Sequence, residues 1–212
     1  MNKEIKFDIE ERKIMGNKKN IEYLTRVAQN ILKKNFSPSF IEWLKRYGEE
    51  VYINKGSGNF NTNKLLPKNK KEEIISMTYG SKAMKEAGWP INNDFIPFGS
   101  DGGENIFVFY TKFSKNGEYP VLMVSLDDEK CPYVFMGSSF ENFVNTYVKL
   151  EILRANLDEK ELLKTTKEAI KKYEPSLGME FAIQLVNWEW KFKSIVDIDR
   201  ILKKGGFKGG VF

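Results

Sequence analysis

The chain contains no histidine and a single cysteine, Cys131. The first absence removes the commonest general base and the commonest metal ligand. The second excludes an intramolecular disulfide. Cys131 stands beside Pro132 at the start of an apolar run and reads as a small apolar filler rather than a nucleophile. Arginine is scarce: Arg12, Arg26, Arg46, Arg154 and Arg200 are scattered through 212 residues. The side chain favoured for bidentate contact with bases and phosphates therefore never clusters. Apolar runs such as Val121–Val124 are far too short to span a membrane. The opening Met-Asn-Lys-Glu-Ile-Lys-Phe-Asp carries charges where a signal peptide needs apolar residues, so a cytoplasmic location is expected.

What is present suits a globular protein. At 41% hydrophobic and 14% aromatic, the chain can bury one good core and a small second one. Its net charge of +5 is unevenly spread. Residues 17–73 hold twelve lysines and arginines against six acids. Residues 94–129 hold seven acids (Asp94, Asp101, Glu104, Glu118, Asp127, Asp128 and Glu129) against Lys112 and Lys115. The basic stretch reads as a solvated face. It has neither arginine clusters nor interleaved aromatics, so a nucleic-acid partner is not expected.

Along the chain, residues 1–19 form a charged, loosely held lead-in. Ile21, Leu24, Val27, Ala28, Ile31 and Leu32 then fall on one helical stripe. Ser37 as N-cap and Pro38 at the first helical position predict a second helix, with Phe40, Ile41, Leu44 and Tyr47 inward and Gly48 as its stop. Glu50–Asn54 reads as a strand, 55–63 as a flexible loop and Ser81–Ala87 as a short helix. Tyr119–Leu126 and Tyr133–Met136 are predicted strands, joined through Asp127-Asp128-Glu129, an acidic turn without the alternating ligands of a calcium loop. Ser138-Ser139 caps a helix whose Phe140, Phe143, Val144, Tyr147, Val148 and Ile152 should cover the sheet. Beyond Asn156 the periodicity is helical only. Asp158 to about Tyr173 is one helix, Met179–Phe192 a second with Phe181, Leu185, Trp188 and Phe192 on one face, and Ile195–Lys203 a third. Residues 205–212, rich in glycine, are expected to be mobile.

The centre of the chain is Trp89–Phe109. Phe95, Ile96 and Phe98 make a short apolar strand, Gly99-Ser100-Asp101-Gly102-Gly103 a turn, and Ile106–Tyr110 a returning strand: a hairpin or a sharp corner. Gly102 and Gly103 supply positive φ, and the Asp101 carboxylate can accept backbone N–H groups inside the turn. Pro97 cannot donate to a ladder, so its strand should be an edge or break there. A phosphate cradle is the competing reading, but such loops lead into a helix and this chain returns to a strand.

Phe95-Ile96-Pro97-Phe98-Gly99-Ser100-Asp101-Gly102-Gly103 after Trp89, with Ser138-Ser139-Phe140-Glu141-Asn142-Phe143 further on, resembles the SUKH superfamily, which includes the fungal Smi/Knr regulators. Ser37-Pro38, Phe40, Ile41, Leu44 and Gly48 are similar to that family's first helix, with Tyr47-Gly48 where the family has Asn-Gly. The resemblance covers about residues 37–150. The resulting expectation is an α+β domain over 20–155, a mostly antiparallel twisted sheet flanked by helices, followed by a helical extension over 156–204. The resemblance implies a non-catalytic binding protein. Bacterial members are typically immunity proteins that bind and neutralise a cognate toxin, often a nuclease, and fungal members are regulatory interaction modules. No catalytic residue, metal or cofactor is expected. Trp89, Asp94, Asp101, Glu104, Asp127, Asp128 and Glu129 are the candidate partner-binding residues, and Pro97, Phe98, Gly99, Gly102 and Gly103 the structural motif. The alternatives are a Smi/Knr-type regulatory module, or a small enzyme or nucleotide-binding domain using the Asp101–Gly103 turn.

Overall fold

A computed structural model of the chain describes residues 5–9, 14–17, 35–53, 61–62, 88, 90, 94–101, 105–125 and 130–209. Within them the β-branched and aromatic runs form a seven-stranded sheet whose pairings are all antiparallel. Its strands lie side by side in chain order: β1 (Ile14–Asn17), β2 (Glu49–Ile53), β3 (Asn61–Thr62), β4 (Phe95–Ser100), β5 (Asn105–Tyr110), β7 (Val121–Ser125) and β8 (Tyr133–Gly137). A separate two-stranded ribbon pairs β6 (Phe113–Ser114) with β9 (Lys208–Gly209). The helices are α1 (Pro38–Tyr47), α2 (Phe140–Phe143), α3 (Lys149–Leu153), α4 (Glu159–Tyr173), α5 (Met179–Asn187) and α6 (Ile195–Lys204). A π-helical turn, Val144–Val148, joins α2 to α3 without a break in helical backbone. The fold is therefore the expected α+β mixture.

An antiparallel sheet with one wet face alternates apolar and polar residues, yet β7 and β8 are buried at every position and β5 at all but its first. Both faces of the sheet are covered. On one, Ile96, Phe98, Phe107, Phe109, Val121, Met123, Val134 and Met136 meet α1, α2 and the π turn. On the other, Phe95, Ile106, Val108, Tyr110, Leu122, Val124, Tyr133 and Phe135 meet Ile198 and Leu202 of α6, with Phe113 and Phe207. The first cluster is the larger, and its aromatic centre is tight. The Phe98 ring lies 4.4 Å from Phe109 and 5.4 Å from Phe140, while Phe40 meets Phe109 at 5.0 Å and Phe140 at 4.9 Å, both edge-on. Each such ring contributes about 2–3 kcal/mol by burial and each pair up to about 1.5 kcal/mol more.

Pro97 does not end its strand. It stands opposite Val108, and the register slips before Gly99 pairs with Phe107, so Phe98 is the extra residue of a bulge. The described pairing of β3 reaches only Gly99 and Ser100, which leaves Pro97 outside that ladder.

Several segments differ from expectation. The lead-in is anchored at residues 5–9: Phe7 is buried against Trp43 (5.4 Å, edge-on) and Tyr47 (6.1 Å). Buried Asn145 in the π turn accepts from the Asp8 N–H (2.6 Å) and donates to the Lys6 carbonyl (2.9 Å), holding that backbone as a strand neighbour would. Nor does the glycine-rich end trail away through Gly209, since Phe207 is buried and β9 pairs with β6. The residues after Asn156 supply both clusters, with Leu162, Ile170, Phe181, Ala182 and Leu185 on one face and Ile198 and Leu202 on the other. Trp188 leaves the predicted buried stripe: it ends α5 in the left-handed region (φ 56°) and is 48% exposed. The predicted helices 21–32 and 81–87 lie outside the described residues, as does most of the 55–63 loop.

Candidate functional site

The central motif is a hairpin. Strand β4 continues through Gly99 and Ser100, and Asp101 ties its end to the start of β5: the Asn105 N–H donates to Asp101 Oδ1 (3.3 Å) and the Asn105 amide to Oδ2 (2.7 Å). The Asp101 N–H donates in turn to the Asn105 carbonyl (3.3 Å). A carboxylate occupied this way is a turn fixture, and the chain leaves it into β5, not into a helix that could face a phosphate.

Antiparallel pairing determines what shares this end of the sheet. Asn105 pairs with Ser125, so the connection leaving β7, which carries Asp127, Asp128 and Glu129, starts at the same end as the Asp101 turn. Residues 126–129 themselves, like Trp89, Gly102, Gly103 and Glu104, lie outside the described residues. Asp101 is close enough to bear on Tyr147, whose hydroxyl pKa is pushed well up by burial first and then by Glu151 and Asp101. Asp94 is not part of this gathering. It precedes Phe95, which pairs with Tyr110, and so sits at the far end of the sheet, its carbonyl accepting from the Thr111 N–H (2.7 Å) and hydroxyl (2.9 Å).

Other carboxylates turn out to hold the fold. Ser37 has the N-cap position of α1 and Pro38 follows it, but the Ser37 side chain makes no capping bond. Glu118 caps the helix instead, accepting from the Ser39 N–H (2.8 Å) and hydroxyl (2.5 Å) across seventy-nine positions of chain. Burial pushes the Glu118 carboxyl above its ordinary pKa, against the pull of the Ser39 bonds. Glu118 reaches the helix because Asn116 and Gly117, both at positive φ, turn the chain so that Lys115 and Glu118 face each other. Glu174, 3% exposed, serves α2 in the same way, accepting from the Ser138 N–H (2.5 Å), the Asn142 amide (3.1 Å) and the Ser176 hydroxyl. Buried Glu151 is paired with Arg154 (3.0 Å), whose guanidinium also donates to the Leu185 and Val186 carbonyls that end α5 (2.9 and 2.8 Å) and lies 4.4 Å from the Trp188 ring centre. Arg154 three residues after Glu151 and Ser176 two after Glu174 are local partners a sequence can offer, and the Asn-Gly pair before Glu118 is a local turn signal. The contacts of Glu118 with Ser39, of Glu174 with Ser138 and Asn142, and of Arg154 with the end of α5 span too much chain to be announced by it.

Among the described residues, no group of three or more Cys, Asp or Glu side chains could hold a metal ion. No described helix is long and apolar enough to cross a membrane. A shallow cleft between the π turn and α4, lined by Thr146, Leu150, Leu153 and Thr166 among others, has no enclosed space for even a water molecule and so is no ligand pocket.

No curated protein matches the chain. The model of the SMI1 / KNR4 family (SUKH-1) matches residues 22–146, more than half of the sequence, starting earlier than the resembling motifs at 37 and stopping within the π turn. The hairpin, α1 and the Ser-capped helix over the sheet all fall inside this match, and the chain belongs to the SMI1 / KNR4 family (SUKH-1).

Proposed function

We propose that this protein is a non-catalytic binding protein of the immunity type, which neutralises a cognate toxin in the cytoplasm by direct contact. The observation that carries the reading is the family match over residues 22–146. The described carboxylates support it, since Asp101, Glu118, Glu151 and Glu174 are each engaged in capping, turn closure or ion pairing.

The partner-binding surface is the acidic end of the sheet. Asp101 belongs to it directly, and Glu104, Asp127, Asp128 and Glu129 lie on the connections that start there. A nuclease toxin presents a basic cleft to attract phosphate, and carboxylates offered to that cleft raise the association rate. Trp89 is its proposed aromatic anchor. Asp94, at the opposite end of β4, drops out of this surface.

The test is association kinetics with the toxin domain encoded in the neighbouring reading frame, alongside growth rescue on co-expression. Charge reversal of Asp127, Asp128 and Glu129 together should slow association and flatten its salt dependence while leaving the melting curve unchanged. Unchanged association at low ionic strength would remove this turn from the interface. Failure of the unaltered chain to bind or protect would remove the immunity reading itself.

A further inference from the structure

The end of the sheet opposite Asp101 is basic. There the chain leaves β5 through Lys112, β6 and Lys115, and the return after α6 brings Lys203, Lys204 and Lys208 to the same corner. Direct contacts hold the two segments together. Lys112 Nζ donates to Asp199 of α6 (2.6 Å), Lys115 Nζ to the Gly205 carbonyl ninety positions away (2.8 Å), and Lys208 pairs with Ser114. All five lysines are exposed. Of the carboxylates at this end, Asp199 accepts from Lys112 and from the Tyr110 hydroxyl (2.8 Å), Glu118 is turned inward to Ser39, and Asp94, near Tyr110, adds one negative charge that the lysines outnumber. The helix dipole accounts for Lys203 and Lys204 in the last turn of α6, but not for the three others from the ribbon beside it.

We propose that this basic end binds the phosphodiester backbone of a nucleic acid without base selectivity. The large apolar side chains exposed among the described residues, Met179, Ile183, Trp188 and Val196, all belong to α5, its end and the start of α6, while Phe113 and Phe207 at the corner are buried. A protein partner would need aromatic or aliphatic anchors there, and a membrane would need apolar groups to insert. Phosphate binding by counter-ion release needs only cations. Lysine point charges without arginine forks or stacking aromatics give contact with the backbone and not with base edges. This surface is independent of the toxin-binding end. It was invisible in the sequence because neither segment is basic enough alone.

Among the described residues, Lys203, Lys204 and Lys208 are the cations of this corner whose side chains are not drawn into a bond to the fold, and three neutralised phosphates give a log–log salt slope of about −2.7. Anisotropy of a labelled duplex of about 20 base pairs, titrated with the full chain, should therefore weaken roughly forty-fold between about 50 and 200 mM salt. Lys203→Glu with Lys204→Glu and Lys208→Glu should reduce affinity by at least about ten-fold at the lower salt. A control triple on exposed lysines of α4, Lys160→Glu with Lys164→Glu and Lys171→Glu, changes net charge equally and should stay near the unaltered chain. If the reversed corner does not fold, the Lys→Gln triple at the same positions replaces it, with the same expectation. Equal loss in corner and control variants, no binding at the lower salt, or stronger binding to phosphatidylserine vesicles than to the duplex would each overturn the proposal.

Discussion

Removing the Glu118 carboxylate tests whether a residue outside α1 holds the start of that helix. In Glu118→Ala the Ser39 N–H and hydroxyl lose their acceptor, and Ser39 is 0% exposed. A hydrogen bond to a charged acceptor contributes about 1.5–3 kcal/mol, and stranding a buried donor costs at the upper part of that range. Water can follow into the space Glu118 leaves, because that side chain is only partly buried, so the two bonds together should cost about 3 kcal/mol. For a chain of this size that is a fall in Tm of roughly 6–12 °C. Glu118→Gln keeps an acceptor and should cost about 1 kcal/mol at neutral pH. A double-mutant cycle with Ser39→Ala should return a coupling of about 1–2 kcal/mol, against near zero for any residue that merely neighbours the turn. The pH dependence adds a second readout. Burial raises the folded carboxyl above its ordinary 4.5, so the folded state takes up the proton more readily than the unfolded one. This contribution is complete below 4.5 and lost as pH rises through the raised folded value. The stability gap between the unaltered chain and Glu118→Gln should accordingly widen as pH falls from neutrality toward 4.5 in urea titrations. A Glu118→Ala protein within about 0.5 kcal/mol of the unaltered chain would refute the capping argument, since that is the size of an ordinary surface substitution.

Asp8 works in the opposite sense. The hydrogen bond from Lys149 (2.8 Å), and then that from Tyr173 (2.5 Å), hold its carboxyl down at about 2 from an ordinary 3.8, so its contribution is present above 3.8 and lost as pH falls toward 2. Half-exposed as it is, Asp8 should contribute only about 1 kcal/mol, and Asp8→Asn should remove that acid-side loss; parallel stability curves for the two proteins would contradict it. Deleting everything after Asn156 should abolish the cooperative melt, because at least six buried apolar side chains at about 2 kcal/mol each match the stability of a whole domain. A soluble truncated chain with a sharp transition would show that residues 20–155 fold unaided.

Local chemistry made much of the fold legible. Apolar runs flanking a glycine-rich turn gave β4 and β5, valine-rich runs gave β7 and β8, and Ser-Pro before a 3.6-residue stripe gave α1. Ser139 caps its helix as the sequence suggested, accepting from the Asn142 N–H at 3.1 Å. What escaped were pairings across long stretches of chain. The stripe of Ile195, Ile198 and Leu202 announces an amphipathic helix but not which face of which sheet it covers. Phe7 sits alone among charges, and its pocket exists only once Trp43, Tyr47 and Phe140 have assembled. Trp188 fits the helical stripe of α5 by spacing, yet that helix ends at Asn187, and the left-handed turn after it carries the ring out to Arg154. The candidate site was legible as composition only. Strand direction sets which acids can share an end of the sheet: it starts the connection after Ser125 at the end where Asp101 lies and sends Asp94 to the far end.

The two-sided sheet has a consequence for how the chain acquires its structure. Strands β4, β5, β7 and β8 can pair as soon as residue 137 exists, and α1 and α2 can cover one side almost at once. The cover for the other side, Ile198, Leu202 and Phe207, lies about ninety to a hundred positions downstream of β5, as the contact between Tyr110 and Asp199 marks. Until that stretch has been synthesised and docked, Phe95, Val108, Leu122, Val124 and Phe135 form a flat adhesive plate open to water. Closing so long a loop is slow relative to hairpin formation, so newborn chains pass through a one-sided stage that can stick to one another or to a chaperone. Mutations that loosen α6 would then be felt first as poor yield, before any loss of binding by the mature protein.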